Sequence, residues 1–286
     1  MSLMQNIYER AKKEPKKVVF PEIDEPRISS AVARLEKEKI AEAIGLIEVS
    51  NEMVSALSHI RGVKKEISRR LLARPLIRAA TMVALGLADV MVAGAENPTR
   101  RVIEAARLAI GLQSRVKIVS SFFLMLCNDE RNLIFSDCAV NVAPSAEELV
   151  DIARSSASSA KLILGSANVA LLSFSTGSSG QGKSVELVRK AAELSGFIGP
   201  IQADAALNSN IALKKGLGRG DANVLIFPTL DSGNIAYKLL QQIGGVKAIG
   251  PVLQGLRKPV CDLSRGASVE DIVDSTAVTL VLSKGI

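Results

Sequence analysis

Ser264, Arg265 and Asp271 close an apolar run, KPVCDLSRGASVED (258–271), at the point where a strand pattern gives way to a helical one. A guanidinium fork matches the geometry of a phosphoryl group, and the free N–H groups at a helix start favour anions. A hydroxyl there can donate to a developing oxyanion, and a carboxylate in the first helical turn can take a proton. Ser268 and Asp271 also have the spacing of a capping box. Capping by Asp271 and a surface ion pair for Arg265 are therefore the plain alternative.

Two further junctions are rich in hydroxyls and glycine. LSFSTGSSGQGKSVEL (172–187) leads from a strand pattern into a helix, and Gly177–Ser184 fits the phosphate-loop pattern GxxxxGK[ST]. That reading puts nucleotide phosphates on the loop amides and Lys183 at the terminal phosphate. It also requires an Asp at another strand end for Mg²⁺, and it gives LSRG and DSGN no part. A flexible Gly/Ser loop is the simpler possibility. In FPTLDSGNIAYKLL (227–240), Pro228 ends a strand and Asp231–Asn234 form a turn, with Ser232 or Asn234 as candidate cap. The single histidine, His59, has no GxSxG partner and makes no triad. The sequence contains no His/Cys/carboxylate spacing for zinc and no GxGxxG with a downstream acid.

The elements that must position these residues alternate. KVVFPEI (17–23), ADVMVAGA (88–95), NVALLSFST (168–176), NVLIFPTLD (223–231), AIGPVLQGL and KPVCDLS read as strands. Helical spacing runs through 27–47, with a turn near its C-terminal half, and through 97–112, 144–163, 183–195, 234–243 and from Ser268 onward. Asn97 is the expected cap of the second helix, with Pro98 at its first position. Ser145 and Glu148 fit a capping box at the third. KIVSSFFLML and NLIFSDCAVNVA, joined by a polar turn, predict a β-hairpin. The alternation predicts an α/β architecture with a mainly parallel sheet, and a boundary near Pro144.

Bulk composition narrows the partners. The chain has 286 residues and a formal net charge of +7. Aromatics are 3% and Trp is absent, which argues against stacking on single-stranded nucleic acid. The basic residues are dispersed, so small phosphorylated ligands are favoured over nucleic acid. No window approaches a membrane span, and the N-terminus lacks the apolar run of a signal peptide. Cys127, Cys138 and Cys261 show no CxxC spacing and lie in or beside apolar segments, as reduced interior cysteines do. Together these features predict a cytoplasmic protein.

Taken in order, VVFPEIDEPRI, LADVMVAGAENPT, LIFSDCAVNVAPSAEELVDIA, VALLSFSTGSSG, QADAAL, ANVLIFPTLDSGNIAYKLLQ and AIGPVLQGLRKPVCDLSRGASVEDIV resemble the phosphate acyltransferase family, most closely its acetyltransferases. The resemblance runs from about residue 17 almost to the end. It makes Lys183 and Ser184 a chance completion of the nucleotide pattern. It implies two α/β domains of isocitrate/isopropylmalate dehydrogenase-like architecture, residues 1–143 plus 251–286 and 144–250, with the active site in the cleft between them. It also implies a homodimer that interconverts acetyl phosphate plus CoA with acetyl-CoA plus phosphate. CoA is then a co-substrate, and no permanent cofactor, metal or covalent acyl-enzyme is required.

Carried over by residue, the resemblance has Arg265 hold the phosphoryl group, Asp271 draw the thiol proton and Ser264 support the oxyanion. Ser175, Thr176, Gly177, Ser178, Asn234 and Tyr237 line the substrate pocket. The chain is shorter than is usual for the acetyl enzymes before RPLIRAATMVALG and between AAELSGF and PIQADAAL. Around Arg70, Arg74 and Arg78 the match is loose. A phosphate butyryltransferase, a catalytically silent CoA binder and a P-loop nucleotide-binding protein are the alternatives.

Overall fold

A computed structural model of the chain describes residues 1–283. The chain divides into two compact units, Met1–Ser114 with Gly250–Ile286, and Arg115–Ile249.

In the first unit the elements run α1 (Leu3–Lys12), β1 (Lys17–Val19), α2 (Pro26–Lys37), β2 (Glu42–Ile44), α3 (Asn51–Arg61), α4 (Lys65–Leu72), α5 (Pro75–Ala84), β3 (Val90–Ala93) and α6 (Thr99–Ala109). The second unit contributes β4 (Ser120–Leu126), β5 (Asn132–Ser136), α7 (Ala146–Leu164), β6 (Val169–Leu172), α8 (Lys183–Ser195), β7 (Ile198–Ile201), α9 (Ala203–Leu207), α10 (Ser209–Lys215), β8 (Val224–Ile226) and α11 (Leu230–Gln242). Strand β9 (Lys247–Gln254) crosses back, and β10 (Val260–Asp262) and α12 (Val269–Leu282) complete the first unit.

The strands of the first unit lie in the order β2-β1-β3-β10-β9. The first four are mutually parallel, and β9 runs antiparallel to β10. Val18 pairs with Val90, and Asp262 with Ala93. Parallel strands covered by helices on both faces read as apolar runs, and Val18, Val19, Val90 and Val260 are accordingly buried. This order brings the C-terminal ends of β1, β3 and β10 to one edge, where α/β sheets carry their ligand sites. The helix α12 is buried from Ile272 to Leu282, so its four buried polar side chains must find partners inside. Thr276 donates to Ile272 O and Thr279 to Ser275 O, while Tyr8 donates to Asp274.

In the second unit the order is β4-β5-β8-β6-β7. The β4–β5 pair is the expected antiparallel hairpin, with Leu124 opposite Ile134. The remaining pairs are parallel. Because β5 pairs with β8, the hairpin belongs to this unit, and the chain enters it at Arg115, ahead of the Pro144 boundary that the change of pattern suggests. Helix α7 starts on the expected Ser145/Glu148 capping box and stops at Gly165, whose φ of 81° suits a left-handed cap.

Three local expectations differ from the structure. Residues 27–47 are not helical throughout: after α2 the chain turns and adds β2 to the edge of β1. Asn97 does not cap α6; its amide donates to Glu22 at 2.7 Å, and the helix starts at Thr99. Helix α11 starts four residues early, at Leu230, on a capping box formed by Thr229 and Ser232. Asn234 is therefore inside the helix. Among the described residues no helix is long and apolar enough to cross a membrane.

Candidate active site

The segment from Asp262 to Asp271 turns from buried to exposed within two residues. Asp262 and Leu263 are buried, and Leu263 N donates to Ala93 O at 2.7 Å, extending the β3–β10 pairing. Ser264, Arg265 and Gly266 then stand in solvent. A turn from Ala267 N to Ser264 O (2.9 Å) folds the loop back, and Ser268 caps α12. The Ser264 hydroxyl accepts from Gly266 N at 3.3 Å, which leaves its own proton free to donate. The Arg265 guanidinium makes no ion pair or hydrogen bond with another described residue.

Asp271 both caps and keeps a free oxygen. Its Oδ2 accepts from Ser268 N at 2.9 Å and from Ser268 Oγ at 2.7 Å. Its Oδ1 has no hydrogen-bond partner among the described residues. The capping reading of the sequence is met, and it uses one of the two carboxylate oxygens.

Three side chains that the sequence did not single out fasten this loop and the one after β3. Arg27 donates through Nη1 to Arg265 O (2.7 Å) and Ala267 O (3.0 Å), and through Nη2 to Ala95 O (3.3 Å). Glu25, which caps α2, accepts from Arg27 Nε at 2.7 Å and fixes the guanidinium. Buried Glu22 accepts five hydrogen bonds from the loop after β3. Four come from the backbone N–H groups of Gly94, Ala95, Glu96 and Asn97, and one from the Asn97 amide, at 2.7–3.1 Å. A carboxylate satisfied by that many N–H donors is a strong fastening. Behind the loop, burial pushes Asp262 up to about 7. The Thr99 hydroxyl opposes that rise and the Glu22 charge adds to it.

In the second unit the predicted pocket residues divide. Ser175 is buried, and its hydroxyl accepts from Gly180 N at 2.8 Å. Thr176 is buried as well. Its hydroxyl accepts from Gln202 N at 3.1 Å, and its own N–H donates to Ser179 Oγ at 3.0 Å. Gly177, at φ 58°, donates to Pro200 O at 2.9 Å. These residues brace the loop, and Ser178 is the expected pocket residue that reaches solvent with its side chain. Asn234 spends its amide on Cys138 O at 3.0 Å. Tyr237 is a correction: its ring is buried in the core of the second unit, stacked 4.1 Å from Phe123.

The comparisons with known proteins agree with this geometry. The profile of the phosphate acetyl/butaryl transferase family matches residues 2–60 and 47–280. Phosphate acetyltransferases from Thermoanaerobacterium thermosaccharolyticum and Clostridium acetobutylicum are 39% and 36% identical, each over 98% of this chain and 99% and 98% of their own lengths. The relative from Nitratidesulfovibrio vulgaris is 39% identical over 96% of this chain, which spans 45% of that protein. Among solved structures, a phosphotransacetylase from Streptococcus pyogenes superposes with a TM-score of 0.92 at 33% identity, covering 99% of this chain and 98% of its own. The EutD phosphotransacetylase from Staphylococcus aureus superposes at 0.90 and 32%, covering 98% of each chain.

The chain belongs to this family of acyltransferases. The family match spans the glycine-rich 172–187 segment together with DSGN and LSRG, the two segments that the phosphate-loop reading left without a role. Lys183 is the exposed first residue of α8 and forms no ion pair with a described residue. Of the arginines in the loosely matching region, Arg74 pairs with Glu104 at 3.4 Å, and Arg78 donates to Leu72 O at 3.0 Å. The three cysteines are free, Cys138 and Cys261 buried and Cys127 half-buried. Burial raises the pKa of each thiol, that of Cys261 to about 12, so none is poised as a nucleophile. His59 is exposed in the last turn of α3.

Proposed function

We propose that residues 264–271 carry the family's reaction in this chain, the reversible transfer of an acetyl group between acetyl phosphate and CoA. One observation supports this above the others. A hydroxyl with a free proton, an unpaired guanidinium and a carboxylate with a free oxygen share one short loop at the end of β10. Arg265 receives the phosphoryl group of acetyl phosphate. Asp271 Oδ1 takes the proton from the CoA thiol, and the sulfur attacks the acyl carbon. The Ser264 hydroxyl donates to the oxyanion that forms there. The S–C bond is made, the C–O bond to phosphorus breaks, and phosphate leaves with its electron pair. The proton on Asp271 then returns to solvent or to the departing phosphate. Arg27 holds the loop through its backbone, Glu22 fastens the neighbouring segment 94–97, and neither takes part in the chemistry.

The isocitrate/isopropylmalate dehydrogenase-like architecture, with Ser178 on a substrate-lining loop, is part of this proposal. So are the cytoplasmic location and the homodimer. Ile235, Leu239 and Ile243 form an exposed apolar stripe at four-residue spacing on α11, which supports a contact with a second copy.

Thioester formation from acetyl phosphate and CoA tests the reading. Arg265→Ala should raise the KM for acetyl phosphate and lower kcat, while Lys183→Ala should leave turnover close to that of the unmodified chain. Mg-ATP binding that is lost in Lys183→Ala would instead favour the nucleotide reading, and CoA binding without turnover a silent binder. Propionyl and butyryl phosphates in the same assay place the acyl preference, since the family name covers both acetyl and butyryl transfer.

A further inference from the structure

Asp262 has no part in the chemistry described so far, yet it is the residue from which the catalytic loop departs. Its side chain is fully buried at the end of β10, opposite Ala93 of β3. Oδ2 accepts from Thr99 Oγ1 at 2.6 Å, and Oδ1 has no hydrogen-bond partner among the described residues. The carboxyl is wedged against Gly94, which has φ 108°. A Cβ at that position would lie 2.7 Å from Asp262 Oδ1 and 2.8 Å from both N and O of Leu263. Carboxyl, glycine and the start of the catalytic loop therefore occupy one close-packed point.

The surroundings favour the neutral acid. Glu22, held on the far side of residues 94–97, is the charged group that acts on it, and its sign is the same. From β3 it meets Ala93 and Gly94, which carry no charge. From α6 it meets Thr99, whose hydroxyl and helix start pull the other way. Cys261, its neighbour in β10, keeps its proton to about 12. Arg27 is occupied by Glu25 and three carbonyl oxygens and makes no bond to Asp262.

We propose that Asp262 is a positioning residue for acyl transfer: as a neutral acid it lets β10 lie flush against Gly94 and so sets Ser264 and Arg265. When it ionises, a second buried negative charge sits beside Glu22 with a single donor, and the β3–β10 junction opens to water. The loop then loses its setting. Burial places this ionisation at about 7, within the range an enzyme assay covers.

This inference rests on the reading of residues 264–271 as the acyl-transfer loop, and the test separates the two. kcat is measured against pH from 5.5 to 9, in steps of about half a unit, for the unmodified chain, Asp262→Asn, Thr99→Val and Thr99→Ser. Near-ultraviolet circular dichroism at each pH confirms that the protein is folded. The unmodified chain should show an alkaline limb, with kcat falling up to tenfold per pH unit once Asp262 ionises. Asp262→Asn cannot ionise, so it should lose that limb whatever its plateau. Thr99→Val removes the one hydrogen bond that favours the charged form, so it should move the limb upward, and Thr99→Ser should restore it.

If Asp262→Asn fails to fold, the Thr99 pair still decides the question. Superimposable profiles for the unmodified chain and either Asp262→Asn or Thr99→Val would overturn the inference. In the same series, near-normal turnover by Arg265→Ala and Asp271→Asn would overturn the acyl-transfer reading of the loop itself.

Discussion

Asp271 serves as a helix cap and, in the proposed reaction, as a base, and the two roles can be separated. Asp271→Asn keeps an amide oxygen that can accept from Ser268 N, so the cap survives in part. Losing the charge near the helix start costs about 0.3–1 kcal/mol, and losing the cap entirely costs about 1 kcal/mol. Denaturant midpoints should therefore move little. Turnover should fall much further, about 10²–10⁴-fold for a lost general base. A second signature is independent of that size. Without Asp271 the reaction depends on thiolate supplied by solvent. A thiol pKa of about 8.5 leaves only about 3% thiolate at pH 7. The ratio of variant to unmodified rate at the same pH cancels every ionisation they share, including that of Asp262. This ratio should rise about 30-fold between pH 7 and full thiol ionisation. Ser268→Ala, which loosens the cap but keeps the carboxylate, should show a stability loss of about 1 kcal/mol and no such rise. A pH-independent ratio for Asp271→Asn, or turnover within tenfold of the unmodified chain at pH 7, would refute the base.

Glu22→Gln leaves two or three of the five N–H donors without an acceptor. At about 1–3 kcal/mol each it should destabilise the first unit by about 2–9 kcal/mol in urea titration, and an unchanged midpoint would count against the fastening role. Asp262 gives a linkage prediction. Its pKa rises from 3.8 to about 7 on folding, so burying it costs nothing below pH 4, progressively more through pH 4–7, and its full amount above pH 7. Three units at about 1.4 kcal/mol put that amount on the order of 4 kcal/mol. Asp262→Asn should flatten the fall in stability across that window, and parallel stability–pH curves would show that the carboxyl is not held neutral. Leu239→Asp on the α11 stripe should convert a dimer to monomer in sedimentation velocity, and an unchanged sedimentation coefficient would place the contact elsewhere.

What could be read from the sequence was what depends on neighbours along the chain. The capping boxes of α7 and α12, the β4–β5 hairpin and the strand-to-helix switch at Ser264 all arise within a few residues, and each stands where its pattern put it. In 27–47 the helix and the turn after it were legible, but β2 was not, because it is three residues on a sheet edge, too short to stand out from a helical spacing. Tyr237 came to the pocket only through the resemblance, and no neighbour along the chain signals that its ring packs on Phe123 of β4. Glu22, Arg27 and Asp262 could not be recognised by any local rule. Glu22 lies 72 residues from Gly94, and Thr99 lies 163 from Asp262. They meet only because the strand order β1-β3-β10 places three distant strand ends side by side. The segments FPEIDEPRI and VCDLSRG each carry an acid at a strand end. Taken singly, each acid reads as turn chemistry. Once the two strands flank β3, one of them becomes the anchor for four backbone amides, and the other is left buried with one donor. The difference between the two carboxyls is a property of the sheet order, and it is what makes the second sensitive to pH.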